Sequence, residues 1–262
     1  MGSPVILLHG IACSVLEWQR NIDALAAHHR IYAIDLLGFG FTDKPADETY
    51  TLARIAQFIF DFLDTQGVAQ AHLAGNSMGG RLALECARVA PDRVASLVLA
   101  APVGIGRQCL LDLRLASLPW LGELLTRPSR WGLNRLWSKV FFDRREVTDE
   151  LVQAKLELAR LPGTQAAFLK TLRSFVGLGG IFKHEVAALQ AALATLRVPT
   201  LVIWGRHDRL LPVAQAQLLA DLLPAAQLQL YEECGHMPQF ENPRRFNQEA
   251  LGHWAMVDGG RS

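Results

Sequence analysis

Cysteine is scarce and dispersed in this chain. Cys13, Cys86, Cys109 and Cys234 are the only four in 262 residues, and no Cys-x-x-Cys or Cys/His pair has metal-ligand spacing. Those spacings argue against a disulfide framework and a zinc site, and neither a metal nor an organic cofactor is expected. Scattered thiols of this kind read as reduced residues in apolar surroundings, which fits a reducing, cytoplasmic compartment. An excess of one charge is missing too: 26 Lys and Arg stand against 25 Asp and Glu, a net charge of +1. With no basic stripe and no basic–aromatic interleaving, nucleic acid is not an expected partner. Long apolar runs are absent. The richest stretch is interrupted by Arg107, Asp112 and Arg114, so no integral membrane segment is expected. No basic residue precedes the first apolar run at residue 4, which reads as a buried strand and not as a signal peptide. Met1-Gly2-Ser3 is also what removal of a leader would leave behind. There are no internal repeats and no low-complexity tract.

What the chain does have is alternation. Half of its residues are hydrophobic, and its length suits one large α/β domain with an insertion. Short apolar runs at 5–9, 31–36, 71–74, 97–101, 201–204 and 228–231 predict strands. Helix-like segments at 16–28, 52–66, 81–89, 213–223 and 243–256 lie between most of them. That rhythm predicts a doubly wound, mostly parallel sheet with helices on both faces, its strands apolar throughout because both sides are covered.

One segment breaks the rhythm. From 103 to 185 no strand is expected, only helical patches at 110–118, 120–125, 133–142, 149–160 and 165–175. Three of the six tryptophans lie here, and prolines at 119, 128 and 162 punctuate the helices. The segment reads as a helical cap, 103–185, inserted into a core of 1–102 and 186–262. Most of its apolar faces must pack on that core, and the aromatic excess also suits an apolar pocket.

The chemistry starts at Gly75-Asn76-Ser77-Met78-Gly79-Gly80. An apolar strand feeds a Gly-x-Ser-x-Gly and a helix follows at once, the setting of a nucleophile elbow. Flanking glycines let the backbone fold back tightly, and the helix N-terminus favours negative charge. A serine hydroxyl needs a base, and the base needs an orienting carboxylate. Asp208 follows the 199–204 strand in Gly205-Arg206-His207-Asp208 and is the candidate acid. His236, in Gly235-His236-Met237-Pro238 before the last helix, is the candidate base. Rivals exist for both. His207 adjoins Asp208, but adjacent side chains point apart. Asp35 ends the second strand and reads as the cap of the 36–40 turn. His28, His29, His72, His184 and His253 read as surface or packing residues. An acyl-transfer serine also needs oxyanion donors. The amides of Met78 and of Ile11, in the His9-Gly10-Ile11 loop, are the candidates.

These motifs together resemble those of the serine α/β-hydrolases of the capped kind, from residue 4 to about 254. The resemblance implies a Ser77–His236–Asp208 triad and a carboxylesterase-like hydrolysis of short-to-medium apolar esters. It extends to the carbon–carbon hydrolases that cleave ring-opened aromatic products, the alternative reading. Those enzymes usually carry a tryptophan after the histidine and a cap arginine for the substrate carboxylate. Here Met237 and Lys155 stand instead, and lysine does not replace arginine in bidentate binding. A third reading is a ligand-sensing protein of this fold with residual hydrolysis. Family members usually begin with an antiparallel hairpin. It is absent here, which predicts a shorter sheet edge, exposed or covered by a partner. The expected partner is a small apolar ester, and the expected assembly a monomer or homodimer.

Overall fold

A computed structural model describes residues 2–223 and 226–260; the outer limits of the expected core, residues 1 and 262, lie outside them. In chain order the strands are β1 (Pro4–Leu8), β2 (Arg30–Ile34), β3 (Ala71–Asn76), β4 (Val94–Ala100), β5 (Val176–Gly177), β6 (Gly180–Ile181), β7 (Thr200–Gly205) and β8 (Ala226–Tyr231). The helices are α1 (Ile22–Ala26), α2 (Leu52–Thr65), α3 (Met78–Val89), α4 (Leu111–Ala116), α5 (Leu121–Leu125), α6 (Arg130–Val140), α7 (Asp149–Ala159), α8 (Thr164–Phe175), α9 (Lys183–Leu193), α10 (Ala214–Leu222), α11 (Pro238–Glu241) and α12 (Pro243–Gly259).

Six strands form one sheet in the order β2-β1-β3-β4-β7-β8, every neighbouring pair parallel. Successive residues of a strand face opposite sides, and here both sides are apolar. Ile6, Leu8, Leu73, Leu97, Leu99 and Val202 pack with α2, α3 and α9. Val5, Leu7, Ala74, Val98, Leu201 and Ile203 pack instead with Trp18, Phe246, Ala250 and Trp254 on the other side. The chain leaves β1 toward β2 at one edge and returns to β3 on β1's other flank. Crevices at the carboxyl ends of strands form at such a switch.

Three local differences have physical causes. The expected helix over 16–28 is broken. Ser14 and Glu17 form a capping box on a short 3-10 turn, Val15–Trp18, and Asn21 turns inward to donate to the Gln239 carbonyl and to Asn247 Oδ1. A strand pair does exist within 103–185: β5 and β6 make a two-residue antiparallel hairpin. Its Gly180 has φ +93°, and a Cβ there would sit 2.2 Å from the Arg107 carbonyl oxygen. Two residues per strand are too few to show alternation. Finally, α9 runs across the expected boundary at 185. Among the described residues no antiparallel strand precedes β1, and β2 is an edge strand with Ile31, Tyr32 and Ala33 half-buried.

Candidate active site

Register builds the site. Leu8 lies opposite Gly75, so the loop leaving β1 emerges beside the loop leaving β3. A Cβ on Gly10 would stand 3.3 Å from the Ser77 Cβ. Ser77 itself has φ 56° and ψ −115°, a conformation that costs a non-glycine residue about 1–3 kcal/mol. The turn is closed on all sides. Ser77 N–H donates to the Ala100 carbonyl at 2.9 Å, and the Ser77 carbonyl accepts from Arg81 and Val103. Gly75 and Gly79 have no room for a Cβ, which would meet the Gly79 carbonyl carbon at 2.3 Å and the Leu8 oxygen at 2.1 Å. Within 71–87, Ser77 is the one residue with partial exposure.

Asp208 and His236 come together from the ends of β7 and β8. His236 Nδ1 lies 2.7 Å from Asp208 Oδ2. The other carboxylate oxygen, Oδ1, accepts from the amides of Leu210 and Leu211 at 2.8 and 2.9 Å. Two amides thus aim the carboxylate, leaving Oδ2 for the imidazole. Both side chains are buried.

The loop carrying His236 is gripped from three directions. Its N–H donates to the Val140 carbonyl at the end of α6. Its carbonyl accepts from Asn76 Nδ2 at 3.0 Å, and the same amide reaches the Ala100 carbonyl. Glu241 accepts from the amides of Gly235, Met237 and Phe142. Burial pushes the Glu241 carboxyl up, while those three amides pull the other way.

Met78 opens α3, and Ile11 follows Gly10. Among the described residues neither amide donates to a protein acceptor. His9 supports that loop from below. Fully buried, it places Nδ1 2.8 Å from the Gly10 carbonyl and accepts from the Leu36 amide at Nε2. Only the neutral ring with its proton on Nδ1 makes both bonds, and burial lowers its pKa to about 4.

The rivals go elsewhere. Asp35 accepts from the amides of Val15 and Phe41, so it caps a turn. His207 is exposed and lies against the Phe142 ring at 4.7 Å. His72 is buried against Ser96.

Sequence reasoning missed the partners of three residues. Lys155 on α7 pairs with Glu17 in a buried ion pair and sits 4.7 Å from the Trp137 ring centre. The signal for Glu17 was Ser14-x-x-Glu17, a capping box; its pairing with Lys155 crosses too much chain to be read. Glu241 carried no signal beyond following Pro238 at a helix start, and the donor role of Asn76 was hidden inside the elbow motif. A cavity of about 280 Å³ lies beside Met237, lined by Leu16, Trp137, Phe141, Leu151 and Phe240 among others.

A glycine-flanked serine on a strained strand-to-helix turn, with a carboxylate-oriented histidine whose backbone is held by the neighbouring Asn76, is geometry suited to nucleophilic acyl chemistry. Known proteins are similar to this chain over nearly its whole length. The chain is 33% identical over 251 residues to a 2-hydroxymuconate semialdehyde hydrolase from Pseudomonas putida, covering 94% of this chain and 84% of that protein. It is 31% identical over 256 residues to a 2-hydroxy-6-oxo-6-phenylhexa-2,4-dienoate hydrolase from Burkholderia cepacia, covering 95% and 87%. The solved structure of a meta-cleavage product hydrolase from Pseudomonas fluorescens IP01 superposes with a TM-score of 0.84 at 29% identity, covering 98% of this chain and 92% of that one. Residues 3–243 match the family described as alpha/beta hydrolase fold. By sequence and by architecture, this chain belongs to the α/β-hydrolase fold family.

Proposed function

We propose that this hydrolase cleaves a carbon–carbon bond in a ring-opened aromatic product. The observation that carries the reading is the 33% identity, over 94% of the chain, to a 2-hydroxymuconate semialdehyde hydrolase. Ser77 is the nucleophile, His236 the base and Asp208 the acid that orients it; Met78 and Ile11 supply the oxyanion amides. Residues 103–185 form the cap over a core of 1–102 and 186–262.

The steps follow from these roles. Ser77 Oγ adds to the carbonyl carbon beside the bond to be cut, and its proton passes to His236 Nε2. The two amides hold the oxyanion. Collapse breaks the carbon–carbon bond, its electron pair moves into the conjugated chain, and His236 returns the proton to carbon. Water, deprotonated by His236, then attacks the acyl carbon, and His236 returns that proton to Ser77 Oγ as the acid leaves. Asp208 compensates the imidazolium each time.

A second reading, hydrolysis of short-to-medium neutral esters, is favoured by one observation. The buried cation in the lining of the cavity beside Met237, Lys155, is already paired with Glu17, and a ring-opened product brings a carboxylate of its own.

The test compares 2-hydroxymuconate semialdehyde with p-nitrophenyl esters of graded acyl length, on wild type and Ser77→Ala. Serine-dependent loss of the coloured product, with kcat/KM well above that of every ester, supports carbon–carbon cleavage. The reverse ranking establishes the esterase. A folded protein inactive on both overturns the two readings and leaves ligand sensing.

A further inference from the structure

The cap carries an outward apolar face that no contact within the chain explains. Trp120 is 89% exposed and Trp131 74% exposed, and Leu124 and Leu125 between them are exposed as well. Exposed apolar side chains are ordinary singly, but four within twelve residues are not. Trp120 caps the N-terminus of α5 and Leu124 stands one turn on, their backbones joined by the Leu124 N–H to Trp120 carbonyl bond, so they share a side.

The opposite side of α5 is fixed to the cap. A Cβ on Gly122 would meet the Ala116 carbonyl at 2.2 Å. Glu123 is paired with Arg173 at 2.9 Å, and Gln165 donates to the Glu123 carbonyl and to Thr126. Trp120 is held outward on a backbone with φ +66°, a left-handed conformation that a tryptophan rarely adopts. Strain of that kind marks an imposed arrangement.

Charge decides what the face fits. From 120 to 139 the sequence has Arg127, Arg130, Arg135 and Lys139 against the single acid Glu123, in a chain whose net charge is only +1. Glu123 is spent on Arg173, Arg130 on Asp149 and Lys139 on Asp112. Arg127 and Arg135 are exposed and make no ion pair among the described residues. Arg135 lies 5.6 Å from the Trp131 ring centre. Tryptophan and leucine beside unpaired arginine match a lipid surface of negative charge, where aromatic rings sit at headgroup level and arginines meet the phosphates.

We propose that this face of the cap docks the protein peripherally on an anionic bilayer surface. The inference rests on the face alone and does not depend on which bond is cut at Ser77.

The protein carries its own probe. Trp18, Trp137, Trp204 and Trp254 are buried, so a blue shift of tryptophan emission reports Trp120 and Trp131. The full chain is titrated with phosphatidylcholine vesicles, plain or containing about one-third phosphatidylglycerol. Anionic vesicles should shift the emission and co-sediment the protein, and plain vesicles should do so far less. Trp120→Ser with Trp131→Ser should weaken sedimentation roughly tenfold or more. Arg127→Gln with Arg135→Gln should weaken it about twenty-five-fold, at about fivefold per arginine. Turnover of a water-soluble substrate should be unchanged in both double variants, which shows that they are folded. The proposal is overturned if wild type ignores anionic vesicles, if plain vesicles bind as well, or if the tryptophan variant still binds. It is also overturned if sedimentation velocity without lipid shows a dimer that the tryptophan variant dissociates, for then the face joins two copies of the chain.

Discussion

The side-chain amide of Asn76 donates to the main-chain carbonyl of His236 at 3.0 Å. The residue before the candidate nucleophile therefore holds the backbone of the candidate base, across the sheet from β3 to the loop after β8. The second proton of the same amide goes to Ala100, so Asn76 cannot rotate without losing both bonds. Asn76→Ala leaves the buried His236 carbonyl without its donor and the Ala100 carbonyl with only the Ser77 amide, and should cost about 1–3 kcal/mol of stability. It should lower kcat far more than it raises KM, because binding is left alone while the base drifts. Equal kcat in a folded variant would reduce Asn76 to a packing residue.

Strain at Ser77 gives a prediction of opposite sign for stability and activity. At φ 56° glycine is unstrained, so Ser77→Gly should abolish turnover while raising stability by about 1 kcal/mol. Ser77→Ala keeps the strain and should melt near wild type. Thermal melts of both, read beside activity, check the pair; a Gly variant that melts lower would show the turn to be held by the serine side chain.

His9 makes the fold acid-sensitive. Its folded pKa is lowered to about 4 by burial, from an ordinary 6.5. Between those values the unfolded chain holds a proton that the folded chain refuses. Stability from this group is complete above about pH 6.5 and is lost as the pH falls toward 4, by on the order of 3 kcal/mol over the whole window. His9→Gln, whose amide oxygen still accepts from Leu36 but does not titrate, should flatten that loss. Urea midpoints at about pH 7.5 and about pH 4.5 measure it; an unchanged slope would place the acid sensitivity elsewhere.

Glu241 ties the histidine loop to the segment after α6 through the Phe142 amide. Glu241→Ala orphans the amides of Gly235, Met237 and Phe142 and should cost several kcal/mol, at about 1–3 kcal/mol for each buried donor. Glu241→Gln keeps one acceptor oxygen and should lie between. Hydrogen exchange at Gly235 and Met237, faster in the order wild type, Gln, Ala, is the readout that mere loss of packing would not reproduce.

Lys155 and Glu17 should behave as one unit. Removing either alone leaves a buried charge uncompensated, and Lys155→Met should cost about 3–5 kcal/mol. Lys155→Met with Glu17→Gln should recover most of that. Chemical denaturation of the three variants gives the coupling directly, and additive losses would mean that the two groups do not see each other.

Legibility in the sequence followed the range of the interaction. Strand–helix alternation, the elbow, and the loops bearing Asp208 and His236 are local patterns of a few residues, and the six core strands lie where their apolar runs predict them. Helix α9 and the β5–β6 hairpin were not legible, the one because its apolar positions blend with those of the helices before it, the other because it is two residues deep. Glu17 with Lys155 and Asn76 with His236 join distant parts of the chain. Each partner has ordinary local neighbours, so only the folded arrangement reveals the pair. Asp35 was readable as a turn cap because its donors, the amides of Val15 and Phe41, lie in loops at the same strand end.

β4 and β7 are hydrogen-bonded neighbours, Leu97 opposite Thr200 through Ala100 opposite Ile203, although residues 101–199 separate them in sequence. The ladder is therefore closed without a strand from that excursion, although α9 within it packs on the sheet. Closing a longer or shorter excursion costs only about 0.6 kcal/mol per doubling of length. The excursion can therefore vary in length while the pairing of β4 with β7 stays intact. Variation in that excursion and retention of the loops that bear Ser77, Asp208 and His236 thereby fall to different stretches of one gene product, free to change at different rates.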